Sequence, residues 1–110
     1  MKDKIVFDIE TKNSFEDVGG RDNLEKLDAS VICVYSYNHD TYASYRESEF
    51  AKLAPVFQNA GLIIGFAISR FDLPVMKKYM PFNVMALPRL DILDEIELVY
   101  GSRVSLDILA

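Results

Sequence analysis

The run Leu62-Ile63-Ile64-Gly65-Phe66 carries no polar side chain and follows directly on Gly61. An apolar segment this short and continuous reads as a central strand of a sheet, buried on both faces. Such a strand needs neighbours, and the N-terminal part of the chain supplies them. In Ile5-Val6-Phe7-Asp8-Ile9-Glu10, alternation puts Ile5, Phe7 and Ile9 on one face and Val6, Asp8 and Glu10 on the other. Ser30 to Tyr37 is β-branched and aromatic, which predicts a second strand buried on much of both faces. Asn38-His39-Asp40 offers turn chemistry, so Thr41 to Tyr45 returns as the other arm of a hairpin.

Helical signals alternate with these strands. Phe50, Leu53 and Phe57 have helical spacing within Glu47 to Ala60, where Pro55 is expected to kink or split the helix and Gly61 ends it. Ser69 is placed to cap a helix from Arg70 to Tyr79, with Pro74 near its first turn and Pro81 stopping it. Residues 82 to 90 read as a short strand or extended link. Asp91 opens a helix with Ile92, Ile96 and Val99 on one face, and Gly101 closes it. Ser105 to Ala110 resembles the cap and first turn of another helix. Since a single turn does not repay nucleation, residues 1–110 are expected to be the front part of a longer single domain. Residues 11 to 28 form a polar connection around Gly19-Gly20, with a helical turn near Asn23 to Leu27; that length marks it as functional. The predicted fold is α/β: a mixed sheet, a hairpin leading into αβ units, flanked by helices.

Twelve Lys and Arg against 17 Asp and Glu leave a net charge of −5. That excludes a protein that coats polyanions by charge alone, yet suits carboxylates that hold metal ions. Cys33 is the single cysteine, so no intrachain disulfide forms, and it reads as a small core residue. Neither a signal peptide nor a membrane span is visible, and a cytoplasmic, reduced location is the expectation.

Asp8 and Glu10 share a face at the end of a strand. Two adjacent carboxylates repel unless a proton or cation lies between them. The pair is therefore either solvated at a strand end or a ligand pair for a hard, oxygen-seeking cation. Asp72 follows the apolar strand at the start of a helix; in a sheet with the two strands as neighbours it would approach Asp8. Its other role is favourable placement in a helix dipole, worth about 0.3–1 kcal/mol.

Val6-Phe7-Asp8-Ile9-Glu10-Thr11 resembles the first motif of the DEDD-type 3′–5′ exonucleases, the DnaQ-like branch of the ribonuclease H-like superfamily. Ile64-Gly65-Phe66, followed by Phe71-Asp72-Leu73-Pro74-Val75, resembles their second motif. The tyrosine-rich hairpin and Leu90-Asp91-Ile92-Leu93-Asp94-Glu95-Ile96, followed by Leu106-Asp107, are similar to a bacterial YprB-like branch. The resemblance spans essentially the whole chain. It implies a ribonuclease H-like fold in which Asp8, Glu10 and Asp72 match three of the four catalytic carboxylates. These would hold two Mg²⁺ or Mn²⁺ ions for phosphodiester hydrolysis at a single-stranded DNA or RNA end. Thr11, Phe66, Arg70 and Phe71 are then the nucleic-acid-binding candidates. Two departures stand out. The family's third motif, a Tyr or His four residues before a final Asp, has no match in the chain, and Ala67 stands where the family usually carries Asn. His39, in a hairpin turn, is poorly placed to replace the base.

Other readings attach to particular residues. The acidic run Asp91, Asp94, Glu95 and Glu97 is a solvated helix face, or supplies a substitute fourth ligand from Asp91 or Asp94. Tyr35, Tyr37, Tyr42 and Tyr45 stabilise the hairpin as cross-strand pairs or stack on bases. Arg70 and Lys77-Lys78 make one helix basic. Two further functions fit: a catalytically incomplete nucleic-acid or partner-binding module of a larger repair or helicase protein, and a small domain whose carboxylates bind a cation for regulation or stability.

Overall fold

The computed structural model describes residues 2–100. The expected closure of the last helix at Gly101 and the turn over Ser105 to Ala110 lie outside them. Five strands form one mixed sheet in the order β3-β2-β1-β4-β5. They are β1 (Asp3–Thr11), β2 (Ala29–Ser36), β3 (Thr41–Arg46), β4 (Ala60–Gly65) and β5 (Arg89–Asp91). The hairpin β2–β3 and the pair β1–β2 are antiparallel, whereas β1–β4 and β4–β5 are parallel. The helices are α1 (Leu53–Gln58), α2 (Leu73–Met76) and α3 (Ile92–Tyr100).

The period-two pattern of β1 holds. Ile5, Phe7 and Ile9 are buried, while Asp8 and Glu10 are exposed on the opposite face. Ile32 and Val34 of β2 and Ile63 of β4 join the buried face, and Leu53 and Phe57 of α1 and Leu73 and Met76 of α2 cover it. Phe57 meets Phe7 edge to face, ring centroids 5.1 Å apart; burying a side chain of this kind contributes about 1.5–3 kcal/mol. The second face of β2 and β4 departs from expectation. Val31, Tyr35, Leu62 and Ile64 are only half-buried and Cys33 is exposed, because among the described residues the helices pack on one face of the sheet. Cys33 is therefore a surface thiol, with Sγ 3.5 Å from the Ser44 hydroxyl.

The helix expected from Glu47 to Ala60 is a 3₁₀ segment (Glu47–Lys52) running into α1. Pro55 thus lies in the first turn of α1, where a missing N–H leaves no hydrogen bond unmade. Within residues 11 to 28 the helical turn is Leu24–Lys26, and Leu27 is buried; Phe15, Val18 and Leu24 pack against the core. Gly19 and Gly20 have φ of 87° and 118°, the conformations that make glycine the residue of choice in that turn.

Ser69 does not cap a helix. Ala67 adopts a left-handed conformation (φ 58°, ψ 26°), and a π-helical turn over Ile68–Asp72 leads into α2 and a 3₁₀ turn, Lys77–Tyr79. The amide of Ser69 donates instead to the Asp91 carboxylate. On α3 the inward residue is Leu93. Of the expected face, Ile96 is half-buried while Ile92 and Val99 are exposed, and Asp94 and Glu97 turn toward Arg70.

Candidate metal centre

Parallel pairing of β1 with β4 runs only to Val6 opposite Ile64. Beyond that point β4 ends at Gly65 and the chain turns through Ala67. Gly65 is required by close packing: a Cβ there would lie 2.4 Å from Cγ2 of Ile68 and 3.0 Å from the Phe7 carbonyl oxygen. The π turn brings Asp72 back against β1. Its Oδ2 accepts the Ile9 amide at 3.2 Å, so a carboxylate replaces the missing ladder partner.

Asp72 is 3 % exposed. Burial, followed by the negative charge of Asp8, raises its pKa from 3.8 to about 7, against the opposing effect of the Ile9 amide. β1 and β4 are sheet neighbours, and the charge of Asp8 acts on Asp72 across them. Glu10 lies two residues beyond Asp8 on the same exposed face, at a register irregularity between Glu10 and Thr11. Such irregularities bend a strand end and re-aim its side chains. Among the described residues no group of three or more His, Cys, Asp or Glu side chains converges as a metal site. Asp8 lies within electrostatic range of Asp72, and Glu10 is exposed on the face that Asp8 shares. Both side chains are carboxylates, the ligand type that suits a hard divalent cation. His39 is exposed at the hairpin turn, distant in the sheet from this pair.

The nucleic-acid candidates divide. Phe66 is half-buried at the end of β4. Phe71 packs edge to face on Phe15, centroids 5.8 Å apart, and ties the 11–28 connection to the π turn. Thr11 donates through its hydroxyl to the Asn13 carbonyl. Arg70 is gripped by Glu97 through two bonds of 2.8 and 2.6 Å, with Asp94 at 3.3 Å, so its charge is compensated inside the fold. Lys78 is likewise held by Asp28 at 2.7 Å. Tyr35 and Tyr42 face each other across the hairpin, centroids 4.7 Å apart, which is the cross-strand use of these rings.

Sequence reasoning misses several residues around the site. Asp91 is neither a solvated helix residue nor an open ligand: it is 3 % exposed and accepts the amides of Ala67, Ser69 and Leu93. An aspartate just before a helix is a cap signal, but nothing local to it announces the two amides from β4's far side. Phe15 and Arg21 carry no motif either. They line a cleft of about 440 Å³ with Phe71, Ala67, Arg70 and Leu93, beside the turn that carries Asp72. The Arg21 guanidinium lies 4.7 Å from the Phe15 ring centroid. A larger groove, about 560 Å³, lies by Asp3 and His39, roughly 17 Å down β1 from Asp8 at strand rise.

No protein-family model matches the chain, and no curated protein matches it in sequence. Solved structures do match. The zinc-bound form of an Escherichia coli exonuclease I–single-stranded DNA complex superposes with a TM-score of 0.66 at 12 % identity over 91 % of this chain. Exonuclease I with a dA16 oligonucleotide gives 0.60 at 12 % over 92 %. The family B DNA polymerase of Pyrobaculum calidifontis gives 0.54 at 15 % over 72 %. The chain spans 30 % of each exonuclease I chain and 11 % of the polymerase. At these identities the likeness is one of fold, and the mixed five-stranded α/β sheet with flanking helices is the ribonuclease H-like arrangement of these exonuclease structures.

Proposed function

We propose that this chain carries the metal-dependent site of a 3′–5′ exonuclease acting on single-stranded nucleic acid ends, with YprB-like exonucleases as the branch it resembles. One observation carries the reading: a buried aspartate, Asp72, is fixed by the Ile9 amide beside Asp8, on a fold shared with exonuclease I. Asp8 and Asp72 would hold Mg²⁺ or Mn²⁺, with Glu10 approaching from the rim. Divalent ions bound there supply activation of a water and charge compensation for the leaving oxygen. The Ile9 amide orients the Asp72 carboxylate. Phe15 and Phe71, beside the same turn, offer ring surface for a terminal base, as stacking on aromatics is worth about 1–3 kcal/mol per base.

The test is release of mononucleotides from a 3′-labelled single strand in Mn²⁺, with the 110-residue chain and its Asp8→Ala variant. Metal-dependent release by the parent that the variant loses supports the reading. Equal release by both overturns it. A second reading rests on the absence of a converged three-ligand cluster among the described residues: a catalytically incomplete module that binds single strands. Metal-independent binding without hydrolysis favours that module.

A further inference from the structure

Asp91 lies on β5, beside the end of β4, in register with Gly65. Its Oδ1 accepts the amides of Ala67 and Leu93 at 2.9 and 3.0 Å, and its Oδ2 accepts the Ser69 amide at 2.9 Å. A single buried carboxylate thus joins the end of β4, the π turn and the first turn of α3. Arg89, two residues earlier, adds a bond from Nε to the Ser69 hydroxyl at 2.8 Å. The turn so gripped begins at Ala67, a non-glycine residue at φ 58°, and ends at Asp72, whose carboxylate meets Ile9. A left-handed alanine is disfavoured, so the turn needs an external hold to keep this shape. Only an ionised or acceptor-only group satisfies three amide donors at once, and carboxylate is that group.

We propose that Asp91 is a positioning residue for the candidate metal centre: by clamping the Ala67 and Ser69 amides it sets where the turn delivers Asp72 against Ile9. The clamp itself stands on the hydrogen bonds above; its link to metal binding rests on the exonuclease reading. Asp91→Asn separates the two ends of the clamp. The amide oxygen keeps Ala67 and Leu93, while the NH₂ group opposes the Ser69 N–H, so the cap of α3 survives and the hold on the turn is cut.

The readout is amide hydrogen exchange of the metal-free 110-residue chain by NMR, with Asp72→Ala setting the exchange rate of an Ile9 amide that has lost its partner. In Asp91→Asn, Ser69 and Ile9 are expected to exchange at least tenfold faster together, while Leu93, Ile32 and Val34 stay within twofold of the parent. The Mn²⁺ concentration giving half-maximal thermal stabilisation is expected to rise at least fivefold. Faster exchange at Ser69 with Ile9 unchanged overturns the proposal and leaves Asp91 as a local cap. Coupled acceleration of Ser69 and Ile9 in a chain that Mn²⁺ never stabilises supports the clamp and removes the metal reading instead. Should Asp91→Asn not fold, Asp91→Ser keeps a helix cap for Leu93 without reaching the turn, and the same comparison decides.

Discussion

The Ile9 amide and the Asp72 carboxylate, 63 residues apart in sequence, are hydrogen-bonded at 3.2 Å. This bond closes the ladder of β1 where its parallel partner has ended. It also holds a buried acid within electrostatic range of Asp8, and opposes the rise in pKa that burial and that charge impose.

Asp72 makes folding stability depend on pH in a defined direction. Its pKa rises from 3.8 to about 7 on folding, mainly through burial, so the folded state holds the proton more tightly than the unfolded chain. The stabilisation is complete below about pH 4 and is lost progressively as pH rises to about 7. A rise of this size is an upper limit of about 4 kcal/mol. Asp72→Asn keeps an acceptor for Ile9 without the charge. It is expected to be more stable than the parent at pH 8, by about 1–4 kcal/mol, and to lose that advantage at pH 4.5. Urea unfolding at both pH values measures the crossing.

Asp8→Asn tests the second cause of that rise. Removing the Asp8 charge is expected to lower the pKa of Asp72 toward the ordinary carboxylate range while leaving the burial contribution intact. Carboxyl ¹³C titration of Asp72 in the metal-free chain reads this directly. The same variant is expected to abolish stabilisation by Mn²⁺, which for a native-state ligand at a hundredfold excess over Kd is about 2.7 kcal/mol. An unchanged Asp72 titration would mean that Asp8 is not an electrostatic neighbour.

What is legible in the sequence depends on range. The inward and outward faces of β1 follow from alternation alone, which is enough to put Asp8 and Glu10 on the exposed face. The hairpin and the apolar β4 are equally local signals. By contrast, Arg70 grips Glu97 of α3 across 27 residues, a contact that hydrophobic spacing does not announce; of the face that spacing names, Ile96 is half-buried and Ile92 and Val99 are exposed, while Leu93 is buried. Ser69 has the type and position of a cap, but its own amide is taken by Asp91, 22 residues away. Cys33 reads as core because Val31 to Val34 is continuously apolar; nothing in β2 itself tells which of its faces the helices leave open. Local pattern places the carboxylates along the chain, and long-range hydrogen bonding from backbone amides fixes where those of Asp72 and Asp91 are held.

Gly65→Ala is expected to destabilise the chain by about 1–3 kcal/mol, the usual cost of overpacking. The added methyl meets the branched Cγ2 of Ile68, which is fully buried, and the Phe7 carbonyl oxygen. Neither is the free end of a flexible side chain, so relief requires moving the π turn away from β1. The variant's denaturation midpoint gives the energy. A weakened Ile9 amide, read by hydrogen exchange, would show that the displaced turn carries Asp72 with it.

Ala67→Gly acts on the same turn with the opposite sign. Alanine at φ 58° and ψ 26° bears a left-handed penalty of roughly 1–2 kcal/mol, which glycine does not. Glycine loses more backbone entropy on folding, at roughly 0.5–1 kcal/mol, so the two effects partly cancel. The left-handed penalty is the larger, and a net gain of about 0.5–1 kcal/mol is expected, measured as a shift in urea midpoint with an unchanged slope. The Ala67 N–H to Asp91 bond needs no side chain at residue 67, and its retention keeps the turn in register. A loss of stability would instead show that the strain is already relieved by the surrounding hydrogen bonds, and that the turn is held in place by Asp91 and Asp72 more tightly than its own backbone preference opposes.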